Sequence, residues 1–153
     1  RTDGWTDGVC LLRDWRHLLN SILCCKAGLP PPKFHTNEFK VCMDIPRVPH
    51  TCHHDICIAK KRGYASTEDG NIDMDAFEKV MAEDFSDFPE LTSAIKNNCI
   101  NGDIEKIGPY HYKTCQIKKI RRCVHKQVLK ECKEWDDSGS CVGLKELVKE
   151  CMP

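Results

Sequence analysis

Twelve of the 153 residues are cysteine, spread from Cys10 to Cys151. An even cysteine count at this density marks a chain whose fold is held by disulfides made in an oxidising compartment. Six bridges are expected. Two of the cysteines, Cys24 and Cys25, are neighbours. Their Cα atoms lie ~3.8 Å apart, below the ~4.4–6.8 Å that a disulfide spans. They must therefore take two different partners and anchor one point of the chain twice. Spacing alone leaves the rest of the pairing open, since twelve cysteines allow ~10,000 connectivities.

A chain of this length is one domain's worth and buries roughly 68–70% of its unfolded surface. It does not need six staples in order to fold. One reason to carry them is extracellular durability, at ~2–4 kcal/mol per bridge. Another is a hollow interior, whose cavity cost rises with its volume and is offset by cross-links. On spacing alone, durability is the better reading. The 23 Lys and Arg balance the 23 Asp and Glu. Balanced charge gives no net attraction to nucleic acid or to an anionic membrane. No apolar run reaches the ~18 residues of a membrane helix, so membrane insertion is not expected. The sequence opens on Arg1 without a leader, and the expectation is the mature form of a secreted protein. It holds no Asn-x-Ser/Thr tripeptide, so N-glycosylation is not expected.

Helical periodicity dominates the chain. Leu11, Trp15, Leu18, Leu19 and Ile22 form one stripe, which Gly28 and Pro30–Pro32 terminate. Residues 28–48 read as an extended connector. A helix is expected from about Thr51 to Arg62, closed by Gly63 in a left-handed conformation. A further helix starts at Asp73 and Asp75, where anions are favoured, with Phe77, Val80 and Met81 inward. Pro89 suits the first turn of the next, which carries Leu91, Ala94 and Ile95. A long helix is expected from about Lys113 to Glu134, with Ile117, Ile120, Val124 and Val128 inward. It would carry Cys123 and Cys132 on opposite sides. The last helix carries Leu144, Leu147 and Val148. Strand signals are almost absent. The fold class is all-α, a single compact domain of about six to eight helices around an apolar cavity, cross-linked by six disulfides.

Three local constellations suggest chemistry. His50, Cys52, His53, His54 and Cys57 are close enough in sequence to bind zinc, but oxidised cysteines cannot, and no metal site is expected. His54-Asp55-Ile56-Cys57 matches half of a secreted phospholipase A2 active-site helix. The paired cysteines of that motif fall here on His50 and Thr51, and its glycine-rich calcium loop is missing, so a phospholipase A2-like enzyme stays a remote alternative. The segment at Gly70 and Ile72 resembles half of an EF-hand loop. Ala65 and Ala76 stand at two of its oxygen-ligand positions, and a helix N-terminus after a glycine turn is the better reading. No catalytic residues are assigned, no enzyme is expected, and no cofactor is implied.

The cysteine pattern together with several segments resembles insect odorant-binding proteins of the cysteine-enriched Plus-C subgroup. CIAKKRGYASTEDGNIDMDAFEKVMAEDF carries part of the likeness. The gaps Cys25–Cys52, Cys57–Cys99 and Cys123–Cys132 are similar to those of the family's six-cysteine core. Cys24-Cys25 followed by Lys-Ala-Gly-Leu-Pro resembles the subgroup's amino-terminal segment, and ECKEWDDSGSCVGLKELVKEC resembles its tail. The sequence departs at Lys133, where the subgroup usually has proline, and in the four residues rather than three between Cys52 and Cys57. The resemblance covers nearly the whole chain. It implies one domain over residues 1–153, with a core of about 10–134 and a tail of about 135–153.

The resemblance also implies the bridges Cys25–Cys57, Cys52–Cys123 and Cys99–Cys132. Cys10, Cys24, Cys42, Cys115, Cys141 and Cys151 are left to three further bridges of unassigned pairing. It implies a secreted carrier in sensillar lymph or a similar fluid, acting in chemosensory transport. Such a carrier binds small hydrophobic ligands (odorants, pheromones or other semiochemicals) in a helical cavity. Leu19, Ile22, Phe77, Val80, Met81, Leu91, Ile95, Ile120, Val124 and Val128 are the expected lining. A chemosensory receptor is a further candidate partner, and the expected state is a monomer or weak homodimer. The alternative is a secreted, disulfide-rich interaction protein that carries nothing.

Overall fold

A computed structural model gives the fold and describes residues 24–27, 40–46, 52–65, 71–106 and 114–151. Six α-helices are formed there: α1 (Lys40–Met43), α2 (His53–Arg62), α3 (Met74–Asp84), α4 (Pro89–Ile95), α5 (Gln116–Lys130) and α6 (Leu144–Cys151). A π turn, Lys96–Ile100, continues α4, and short 3-10 turns lie at Ile104–Lys106 and Gly139–Cys141. Two short strands, β1 (Cys25–Ala27) and β2 (Glu134–Trp135), pair antiparallel with Cys25 opposite Trp135. No helix among the described residues is long and apolar enough to cross a membrane.

Local chemistry explains most of the boundaries. Gly63 ends α2 at φ +89°, and its amide donates to the Ala59 and Lys60 carbonyls. A side chain at that φ is strained, which is why glycine stands there. The Asp73 carboxylate accepts from the Ala76 amide at 3.1 Å and caps α3. Pro89 occupies the first turn of α4, where its missing N–H costs nothing.

The chain divides into two compact units, Pro31–Cys123 and Arg1–Pro30 with Val124–Pro153. The boundary falls inside α5, between Cys123 and Val124. In the 31–123 unit the buried side chains include Ile56, Ile58, Phe77, Leu91, Ile95, Ile117 and Ile120. Tyr64 packs its ring on that of Phe77, with centroids 5.0 Å apart. In the other unit Val128, Leu129, Leu144 and Val148 are buried.

Five disulfides lie among the described residues: Cys24–Cys141, Cys25–Cys132, Cys42–Cys57, Cys52–Cys115 and Cys99–Cys123. The neighbours Cys24 and Cys25 take different partners, as their spacing demands. The three pairs that the resemblance implied are replaced. Cys25 joins Cys132 rather than Cys57, Cys52 joins Cys115 rather than Cys123, and Cys99 joins Cys123 rather than Cys132. The order of pairing survives on a different set of six. Within the 31–123 unit, Cys42, Cys52, Cys57, Cys99, Cys115 and Cys123 join first to third, second to fifth and fourth to sixth. The expected pairs had that same order. The reason for the shift is that Cys132 is not on the helix: α5 ends at Lys130. Lys133 then donates to the Ala27 carbonyl at 2.9 Å, which carries Cys132 to β1 and to Cys25. Cys10 and the side chain of Cys151 lie outside the described residues.

Two other readings are corrected. The connector 28–48 contains α1, which places the buried Cys42 for its bridge to Cys57. The β1–β2 pair went unforeseen because it is only three and two residues long. It forms where two bridges bring the chains together, without the alternation that marks a strand.

Candidate functional site

Helices α3 and α4, with the π turn that follows, line an open surface groove. On α3, Asp75, Glu78, Lys79 and Ala82 share one face by the i, i+3, i+4, i+7 rule. On the facing side, Thr92, Ile95, Lys96 and Ile100 follow from α4 into the π turn. Together with Met81 they line an open groove of ≈ 310 Å³. Its apolar lining is Met81, Ala82, Ile95 and Ile100. Its rim is charged, and Lys96 Nζ lies 3.3 Å from Glu78 Oε1. Thr92 turns its hydroxyl to the Phe85 and Phe88 carbonyls, at 3.0 and 3.2 Å. That fixes the start of α4 against the end of α3.

The structure brings two of the ten expected lining residues, Met81 and Ile95, to this groove. Phe77, Leu91 and Ile120 are fully buried in the core of the same unit, and Val80 is half-buried. Val124 and Val128 belong to the other unit. Leu19 and Ile22 lie outside the described residues. Sequence reasoning missed Thr92, Lys96 and Ile100. Their spacing of four was legible, but Lys96 and Ile100 lie on a π turn rather than on a 3.6-residue helix.

A second cluster sits between α2, α3 and α5. Asp55 is 8% exposed at its side chain and forms an ion pair with Arg121. Arg62 pairs with Asp84 at 2.5 Å. Tyr64 lies among these four charges. Burial raises the pKa of its phenol above the ordinary value, and the guanidiniums of Arg121 and Arg62 oppose that rise in part. The carboxylate of the His54-Asp55 pair is thus engaged by Arg121 rather than offered to a ligand. His53 is exposed on the first turn of α2. Cys52 and Cys57, the two thiols of the zinc-like constellation, are both oxidised.

Elsewhere, burial lowers the pKa of Lys126, with Lys130 adding repulsion. The hydroxyl of Ser138 donates to Asp136 at 2.7 Å and holds its carboxylate below the usual range. Comparison with protein-family models, with curated proteins and with solved structures gives no match.

Proposed function

We propose that this protein is a secreted carrier of small hydrophobic ligands, of the odorant-binding type, and not an enzyme. The observation that carries the reading is the pairing order in the 31–123 unit. Six cysteines joined first to third, second to fifth and fourth to sixth have the interlaced order that the sequence resemblance implies. The other four described cysteines pair apart from them, within the second unit, as additions to such a core would. Oxidation of all ten described cysteines fits passage through an oxidising compartment. Binding would be partition, an apolar ligand leaving water at ~25 cal/mol per Å² removed. Chemosensory transport in an extracellular fluid is the role this implies.

The test is a binding assay on the oxidised chain with an apolar naphthylamine dye whose emission rises out of water. Saturable binding, displaced by medium-chain alcohols, esters or fatty acids, is the expected result. A dye that does not bind the fully oxidised protein overturns the carrier reading. The same failure together with a tight protein partner selects the non-carrier alternative.

A further inference from the structure

Asn97 and Asn98 are exposed on the π turn that follows α4, and the next residue is Cys99. Oligosaccharide transfer to an asparagine amide asks for a small hydrogen-bonding side chain two residues on. Serine and threonine supply a hydroxyl. A cysteine thiol is a weaker donor of the same kind, and a disulfide sulfur has no proton to offer. In the folded chain Cys99 is 1% exposed and bonded to Cys123, so the tripeptide is silent. During synthesis it is not. Cys123 follows 24 residues later, and at ~5–20 residues per second Cys99 has no native partner for about 1–5 s.

We propose that Asn97 is an N-glycan acceptor used only while Cys99 is a thiol, so that glycan transfer and the Cys99–Cys123 bridge compete for the nascent chain. The inference rests on passage through a secretory pathway and is independent of what the folded protein carries. In the transfer, Asn97 Nδ2 attacks C1 of a lipid diphosphate-linked oligosaccharide. The C–N bond forms and the C1–O bond breaks. The lipid diphosphate leaves with the electron pair, and the amide proton passes to a base of the transferase. Because the Asn97 side chain is exposed, the folded unit accommodates the sugar without opening its core.

The test translates the full chain, behind a cleavable leader, into rough microsomes and reads an endoglycosidase-sensitive mass shift. A minor shifted fraction is expected for the natural sequence and none for Asn97→Gln. Cys123→Ser keeps the Cys99 thiol but removes its partner, and should raise the fraction severalfold. Cys99→Ser, which presents a hydroxyl, should be shifted most. Failure of these variants to fold does not matter, because transfer acts on the unfolded chain. The proposal is overturned by no shift in Cys123→Ser, by a shift there no larger than in the natural sequence, by one that survives Asn97→Gln, or by an unmodified Cys99→Ser.

Discussion

Asp55 shows how one residue's neighbours decide its role. By sequence it stands beside a histidine, as a catalytic carboxylate would. In the fold its carboxylate lies against Arg121. Removing that partner leaves a buried carboxylate without its counter-charge. Arg121→Met is therefore expected to cost about 1–3 kcal/mol, toward the lower figure because the Arg121 side chain is 45% exposed. Urea denaturation measures it, and Asp55→Asn added to the same chain should return part of the loss. An unchanged midpoint in the single variant would show the pair to be inert. The neighbouring Tyr64 gives a pH effect of definite sign. Its folded pKa is raised by burial, so the folded state holds the phenolic proton more tightly than the unfolded chain does. The stability it contributes is complete below the unfolded value of ~10 and is lost as pH rises through the folded value. An ultraviolet titration should show one tyrosine ionising late, together with unfolding. Tyr64→Phe should remove that component.

At the scale of elements, what was legible is what local chemistry determines. α2, α3, α4 and α6 lie where periodicity, Gly63, Asp73 and Pro89 place them. These signals are measurable one at a time. Gly63→Ala forces a side chain into φ +89° and should cost about 1–2 kcal/mol. Asp73→Ala removes the cap and should cost about 1 kcal/mol. The two sites share a neighbour, since the Asp73 amide donates to the Tyr64 carbonyl at 2.9 Å, one residue from Gly63, so the double variant should depart from the sum of the single losses. Strict additivity would mean that α2 and α3 end and start independently. Other boundaries were not legible because they depend on distant chain. α5 stops at Lys130 rather than at about Glu134, because β1 and Cys25 capture the residues beyond. α1 is only four residues long, and its one buried side chain is the cysteine that bridges to α2. The groove was half legible for the same reason. Met81 and Ile95 belong to helical stripes, whereas Lys96 and Ile100 lie on a π turn that no periodicity of 3.6 anticipates.

At the scale of the molecule, connectivity is the least local property of all. Which cysteine meets which depends on where every element ends. The pairs implied by resemblance are therefore replaced wherever an element ends differently from its expected bound. Proteolytic mapping of the unreduced chain tests this directly. A peptide joining Cys99 to Cys123 and another joining Cys25 to Cys132 are expected; Cys99 linked to Cys132 would restore the earlier scheme. The bridges also differ in what they contribute. In the chain-entropy account the 15-residue separation of Cys42 and Cys57 is worth about 3 kcal/mol, and the 107-residue separation of Cys25 and Cys132 about 4.7 kcal/mol, each taken singly.

The double tether at Cys24 and Cys25 also makes the stretch between its anchor points nearly inextensible. Tension applied at residues 24 and 141 passes through the Cys24–Cys141 sulfurs, across a Cα–Cα span of 5.6 Å, and bypasses the 117 residues of that separation. Once reduced, the same stretch can pay out to about 420 Å of extended backbone. Single-molecule stretching between handles at those two positions should show the short contour until a reductant is added, and then the long one. Neither the groove nor the 31–123 unit lies on the loaded path, so the oxidised molecule should keep both intact.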